Sequence, residues 1–418
     1  MLSLGISLIL MGVAFVVTTL VFPHVLAFAR KHNIVDNPNA RKLQRVRVPV
    51  MGGTTVFIGM MVSVLICFSI CQDTALLKVL GLLTVMFVIG VWDDIKDVSA
   101  ALRFLVESLV IWLMIVLLDV EINDFHGFLG IHKLPDVASV PLTVVAGVGI
   151  INGVNLIDGV DGYCSTYGAM ACAMFAVLFF NAGDMVSFTL ALIAIGSLVP
   201  FFFHNVFGKT SKMFLGDGGS LMLGTLLSYF TFVVLTSGSH CDFYDEKGMS
   251  LVGFCLAVLA VPVFDTLRVM IGRMVRGVSP FNPDKTHLHH MFIELNFSHL
   301  LTSGTIVFCN SLIIAFQQLS WWLGASVDFQ VFLVIALALM LTCGLYFFVE
   351  GERRKNDGEG SPAFRRWCEN SKALNLSNTA VWQFIRRVVD SRFLSGKAPE
   401  DASVQAGGNQ DEIDPRIG

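Results

Sequence analysis

The sequence predicts an all-α polytopic membrane protein with about eleven transmembrane helices, its N-terminus outside, its C-terminus cytoplasmic and its active site in the cytoplasmic loops. Three observations carry this. The 418 residues are 55% hydrophobic and only 14% charged, where soluble domains carry about 25% charged residues, and mean hydropathy is +0.72. The apolar residues fall into runs long enough to cross a bilayer, which needs about 17–25 of them. Lys and Arg are concentrated in alternate loops between those runs, the bias that sets orientation.

The first run, 4–22, lacks a charged leading segment and a small-residue cleavage site, so it reads as a retained helix and not a signal peptide. Runs at 51–71, 75–92 and 102–119 follow, then 139–154, 165–181, 185–203 and 218–237. The last are 250–265, 303–323 and 329–349. Runs 139–154 and 250–265 are short, with Gly, Pro or polar residues at their ends, and their boundaries are the least defined. With the N-terminus outside, the inside loops collect Arg30, Lys31, Arg41, Lys42, Arg45 and Arg47, then Lys96, Lys209, Lys212, Arg268, Arg273, Arg276 and Lys285. The outside loops hold Lys133 and Lys247, with Arg103 and Lys78 set aside at span ends. Residues 1–350 form the transmembrane catalytic domain, and 351–418 a cytoplasmic tail. Within the tail, 363–393 is amphipathic, with Trp382, Phe384, Ile385, Val388 and Val389 near helical spacing. It suits a membrane-surface helix or a small helical appendage equally, and from Gly396 the chain is polar enough to be disordered.

Composition also excludes functions. No basic domain supplies phosphate contacts for a nucleic acid. Nine cysteines are scattered, several inside apolar runs, and no CxxC pair points to zinc or redox chemistry.

The unusual polar clusters all fall on the inside. Asp93, Asp94 and Asp97 end a nearly pure apolar run, although a charged side chain at the bilayer centre costs about 2.5–3.5 kcal/mol. They could be a solvated acidic loop or a site for a hard divalent cation, which takes carboxylate oxygens. Asn155, Asp158 and Asp161 recur every three residues among Gly153, Gly159 and Gly162, either as a polar turn or as a ligand site. Phe214 to Ser220 reads FLGDGGS and leads into a span. Backbone N–H groups at such a helix start suit an anion, while Asp217 could equally be a helix cap. Asn205, Lys209 and Lys212 precede it and could meet an anionic substrate or simply snorkel. His287, His289 and His290 lie within four residues. Imidazoles suit transition metals, but with carboxylates left to bind Mg²⁺ the histidines are assigned to phosphate. The loop holding Arg41 and Lys42 suits lipid headgroups or a diphosphate. Arg103 and Glu107 form an i, i+4 pair able to satisfy each other, and Arg268 and Asp265 sit at the inner end of the 250–265 run, where Asp265 could equally be functional. Taken together, carboxylates, glycines, histidines and basic residues on one face indicate Mg²⁺-assisted phosphoryl chemistry.

Five motifs in order, DNPNARK with PVMGG, DDIKD, NLIDGVDG, FLGDGGS and RGVSPFNPDKTHLHH, span residues 36 to 290. In these the chain resembles the bacterial polyprenyl-phosphate N-acetylhexosamine-1-phosphate transferases, and within them the undecaprenyl-phosphate GlcNAc-1-phosphate transferase branch of glycosyltransferase family 4. The resemblance implies attack of undecaprenyl phosphate on the β-phosphorus of a UDP-N-acetylhexosamine. UMP leaves, and a lipid-linked sugar is made that starts O-antigen, teichoic acid or another cell-wall polysaccharide. It implies catalytic roles for Asp93, Asp94, His289 and His290, one of the aspartates deprotonating the lipid phosphate. It implies Mg²⁺, with Mn²⁺ as an alternative, on Asp217, Asp161 and Asp94. Asn155 and Asp158 belong to the nucleotide region, and Phe214 stacks near uracil. Gly216, Asn205, Arg41, Lys42 and His287 complete the expected substrate-binding set. Where relatives carry a histidine after RKx, this chain has Gln44, which cannot carry a proton in the same way. The expected setting is the bacterial cytoplasmic (inner) membrane among its lipids, without nucleic acid, and a homodimer is allowed.

Two other classes compete. A cation-coupled transporter would place its acids near the bilayer midplane, whereas here they gather at span ends. An anchor or sensor would put its chemistry in the tail, which has no such cluster.

Overall fold

The computed structural model describes residues 2–36, 47–279, 286–355, 361–373 and 379–394. The order begins α1 (Leu4–Lys31), a two-stranded antiparallel pair β1 (Val35–Asp36) and β2 (Val48–Pro49), α2 (Gly52–Cys71), α3 (Thr74–Lys96) and α4 (Ala100–Leu118). Then come α5 (Asp136–Leu156), α6 (Tyr163–Ala182), α7 (Met185–Phe207) and α8 (Gly216–Leu235). A short α9 (Asp242–Asp245) precedes α10 (Leu251–Val258) and α11 (Ala260–Val275). After α12 (Leu288–Glu294) and α13 (His299–Trp322), α14 (Val327–Leu339) continues through a π-helical turn into α15 (Leu345–Arg353). Two helices end the described chain, α16 (Pro362–Ala373) and α17 (Ala380–Leu394). Among the described residues ten helices are long and apolar enough to cross a membrane, or eleven if α10 and α11 form one span.

The core is α8. Nearly all of its most apolar stretch, 94%, is buried inside the protein, with α2, α3 and α5 packed around it. Small residues make this close packing feasible. A Cβ on Gly53 of α2 would collide with the Gly219 backbone of α8, and one on Gly90 of α3 with the Asp217 backbone. The outer helices turn large apolar side chains outward, Phe104, Leu105, Phe316 and Phe332 among them, as a lipid-facing surface requires.

The span expected at 250–265 is not straight. It breaks at Leu259, and α10 and α11 meet at 74°. Pro262 removes one ladder donor there. The backbone groups freed by the break are taken up by other helices, as an apolar interior demands. Asn310 of α13 accepts from the Val261 N–H at 3.0 Å and donates to the carbonyls of Ala257 and Val258 at 3.2 Å. The Tyr167 hydroxyl donates to Val258 at 2.7 Å.

At the end of the bundle that carries the polar clusters, helices outrun their apolar runs. Asp93 and Asp94 stand in the last turn of α3, not in a loop as expected, and Asn152 and Asn155 in the last turns of α5. His204 and Asn205 close α7. Between α5, α8, α10 and α11 lies an apolar groove of about 340 Å³, lined by Ile122, Val145, Gly149, Leu256, Leu267 and Met270 among others.

Candidate active site

The site is built on the start of α8. Leu215, at its N-cap, contributes no side-chain bond, so the first amides need acceptors from elsewhere. Carboxylates of two other elements supply them. Asp94 accepts from the N–H of Asp217 at 2.9 Å and of Gly218 at 3.1 Å, one on each oxygen. Asp158 accepts from the Gly216 N–H at 3.2 Å. Asp217 is therefore not the cap of its own helix; Asp94 caps it from α3, and the helix dipole adds to the attraction. Gly216 makes this geometry accessible. Its φ is +77°, and a Cβ there would lie 2.6 Å from Asp94 Oδ2. The expectation that these amides point at a substrate phosphate is corrected accordingly: they are donated to Asp94 and Asp158.

A second layer fixes the carboxylates. Asn155 donates to Asp217 Oδ1 at 2.6 Å and to Ser220 Oγ at 2.9 Å. Asp93 Oδ1 accepts from the Val98 N–H at 2.7 Å, and Arg103 Nη1 stands 3.2 Å from Asp93 Oδ2. Arg103 also reaches Asn152 Oδ1 at 3.0 Å and Glu107 Oε1 at 3.4 Å, and Asn152 donates to Glu107 Oε2 at 2.5 Å. The helical pair Arg103–Glu107 was legible in the sequence; its extension to Asp93 through Arg103 was not.

Asp93, Asp94, Asp158 and Asp217 thus form one half-buried acidic group. Burial, then the charges of Asp217 and Asp94, push the Asp158 carboxyl well above the usual carboxylate range. Four carboxyl groups gathered beside the Arg103 guanidinium suit a divalent cation. Among the described residues no three His, Cys, Asp or Glu side chains converge as a ready ligand cage. Mg²⁺ does not ask for one, since it keeps waters and uses one or two carboxylates together with substrate phosphates.

Asp161, expected among the metal ligands, faces elsewhere. It pairs with Lys212 Nζ at 2.6 Å and His299 Nδ1 at 2.8 Å. Burial raises its carboxyl, but the His299 hydrogen bond and the Lys212 charge outweigh that and hold it below the usual range. His299 was missed by sequence reading; an isolated histidine at the head of a span gave no signal. Asn205, expected to bind substrate, is buried with both ends engaged, accepting from the Gly162 N–H at 2.6 Å and donating to the Met213 carbonyl at 2.9 Å. It locks the Asp158–Gly162 turn to the loop before α8.

Phe214 is half-buried in that loop, with Lys212 Nζ 5.8 Å from its ring centre. Its carbonyl accepts from the Gly52 N–H at 2.8 Å, and its N–H donates to the Pro49 carbonyl at 2.9 Å. The far end of the first polar loop is thereby tied to the site. Arg41 and Lys42 themselves lie outside the described residues.

The histidines enter from α12. His287 Nδ1 meets Asp265 Oδ2 at 3.0 Å, and Arg268 binds the other oxygen of Asp265 at 2.7 Å. His287, expected to bind substrate, is buried in this pairing. The His289 ring stacks on that of His287 at 5.9 Å and lies tilted against that of His290 at 4.3 Å. A Cβ on Gly159 would lie 2.8 Å from His289 Nε2, which puts the imidazole against the Asp158–Gly162 turn. Burial, then the neighbouring His290 and His287, hold His289 well below the usual imidazole range. His290 is half-buried beside it.

Comparison with known proteins points the same way. Residues 76–235 match the family described as Glycosyl transferase family 4. The chain is 32% identical over 295 residues to the probable undecaprenyl-phosphate N-acetylglucosaminyl 1-phosphate transferase of Bacillus subtilis (strain 168), covering 69% of this chain and 79% of that protein. It is 28% identical over 279 residues to the undecaprenyl-phosphate alpha-N-acetylglucosaminyl 1-phosphate transferase of Yersinia pestis, covering 65% and 72%. The protein of that name from Escherichia coli (strain K12) is 27% identical over 293 residues, covering 68% and 76%.

Proposed function

The chain belongs to glycosyl transferase family 4, and on that premise we propose that it transfers N-acetylglucosamine 1-phosphate from UDP-GlcNAc to undecaprenyl phosphate in the bacterial inner membrane. The observation that carries this is the acidic group at the start of α8, capped by Asp94 and Asp158, at the end of the bundle beside the histidine helix. A phosphate oxygen of the lipid forms a bond to the β-phosphorus of the donor, the bond to the bridging oxygen breaks, and UMP leaves. Asp93, braced by Arg103, would take the proton of the attacking phosphate when it arrives protonated. Asp94 and Asp217 would hold Mg²⁺ together with the substrate phosphates, and the ion would supply neutralisation of the charge on the diphosphate oxygens. His289 and His290 offer ring N–H groups to the diphosphate from the opposite wall, and Phe214 offers a ring face to the uracil.

The groove supports a lipid acceptor. It runs along α5, where Gly149 and Ile150 lie just before Asn152, the partner of Arg103. It also follows α11, where Thr266 and Leu267 adjoin Asp265, the partner of His287. An isoprenoid chain seated there would bring its phosphate between the two polar walls. The test is mass spectrometry of lipid extracted after purified protein is incubated with undecaprenyl phosphate, Mg²⁺ and, in separate tubes, UDP-GlcNAc and UDP-GalNAc. A lipid diphosphate carrying N-acetylhexosamine is expected from UDP-GlcNAc foremost; unchanged lipid with every donor would sink the proposal.

A further inference from the structure

The site is held from behind by the end of the chain. Helix α17 lies on the end of α7. The Trp382 ring meets Phe207 at 4.5 Å, and Arg386 Nε donates to the Phe207 carbonyl at 3.3 Å. One turn further along, Asp390 is 6% exposed; it is bonded by the Thr210 side chain and accepts three further hydrogen bonds from the loop between α7 and α8. These come from the Lys209 N–H at 3.1 Å, the Ser211 N–H at 3.1 Å and the Ser211 hydroxyl at 2.9 Å. Arg30 of α1 binds the Thr210 carbonyl of the same loop. The next residue is Lys212, which pairs with Asp161. After it comes Met213, bonded to Asn205, and then Phe214 and the α8 start. Helix α16 does the same on the other wall. Trp367 meets Phe297 at 5.7 Å, and Phe364 and Cys368 pack with Met291, Leu295 and Val349, so the helix carrying His289 and His290 is propped from outside.

A buried carboxylate that spends its lone pairs on backbone N–H groups of a loop fixes that loop's path. Asp390 touches no group assigned to substrate, and both helices lie beyond the stretch matched to the family. We propose that the C-terminal helices are a built-in brace of the active site, with Asp390 as a positioning residue that acts through the 208–213 loop to set Lys212 against Asp161. The inference rests on the proposed transferase reading only where activity is the readout. The geometry of that loop is independent of it.

The test uses the full-length protein. Asp390→Ala is compared with wild type by hydrogen–deuterium exchange and by steady-state UMP release, alone and combined with Lys212→Ala. Exchange at 208–213 is expected to quicken while the transmembrane helices stay protected, and kcat/KM for UDP-GlcNAc to fall about ten- to a hundredfold, the scale of a displaced reacting geometry. In the Lys212→Ala background the Asp390→Ala loss is expected to shrink to nearly nothing, as for groups acting in series. Asp390→Asn, which keeps one acceptor oxygen, is expected to lose less than Asp390→Ala and serves as the test if the alanine variant does not accumulate. Unchanged exchange at 208–213 in either variant overturns the brace, whatever the enzyme's activity. Equal losses with and without Lys212 overturn the proposed route to Asp161. A wild type that releases no UMP sinks the transferase reading alone and leaves the exchange result to decide the brace.

Discussion

Asp94 spends both carboxylate oxygens on the first amides of α8, so its charge serves the helix before any substrate arrives. Its neighbours divide the remaining work: Asp93 leans on Arg103, Asp158 takes the Gly216 amide, and Asp217 is held by Asn155. His289 makes a sharper statement about pH. Its imidazolium is disfavoured in the fold, so as pH falls through about 6.5 the unfolded chain takes up a proton that the folded chain does not. Stability then falls with pH. The apparent melting temperature in detergent is expected to drop between about pH 7.5 and about pH 5.5, and His289→Gln, which does not titrate, is expected to flatten part of that drop. A drop of the same size in the variant would contradict a buried neutral His289. At this scale much was legible in the sequence. Charged residues in an apolar chain mark themselves: Asp93, Asp94, Asp158 and Asp217 do come together, and His289 lies against the Asp158–Gly162 turn. What could not be read was direction. Asp161 and Asn155 share a spacing of three, yet Asn155 turns toward Asp217 and Asp161 toward Lys212 and His299, because the helix ends at Leu156 and a glycine turn follows.

At the scale of elements, the spans were readable from length and hydropathy because a bilayer imposes both. Their polar ends were not, since a helix that leaves the apolar layer needs no apolar residues to continue. The 74° break between α10 and α11 had one signal, Pro262, but its remedy, Asn310, lies on a helix about fifty residues away in sequence and looks there like any isolated polar residue. The break also opens the groove beside α5. Gly149 faces that groove, and nothing stands within 4 Å of the place a Cβ would take. Gly149→Leu would put an apolar side chain into that open space. It is expected to raise KM for undecaprenyl phosphate about tenfold, the worth of losing a good part of an apolar contact, and to leave KM for UDP-GlcNAc unchanged. Equal changes in both constants, or none, would mean that the lipid sits elsewhere.

For the whole molecule, the decisive feature is polarity along the bundle. The acidic group, the histidine helix, the Lys212 loop and α17 all meet at one end. Tail helices that the sequence left between membrane surface and appendage turn inward on that end, and contacts between residues about 180 apart in sequence are what no periodicity could reveal. Acids at the mouths of spans suit a reaction between a soluble donor and a lipid headgroup better than passage of an ion through the bilayer, which wants its ligands near the midplane. If Asp94 and its neighbours carry phosphosugar transfer onto a lipid phosphate, as proposed, sustained UMP release by purified protein tests it most directly. With UDP-GlcNAc, Mg²⁺ and undecaprenyl phosphate, wild type is expected to turn over many times and to stop at one equivalent or less without the lipid. Asp94→Asn is expected to lose about 10²–10⁴-fold while remaining folded by melting temperature. Wild-type turnover by the variant, or turnover that ignores the lipid, would contradict it.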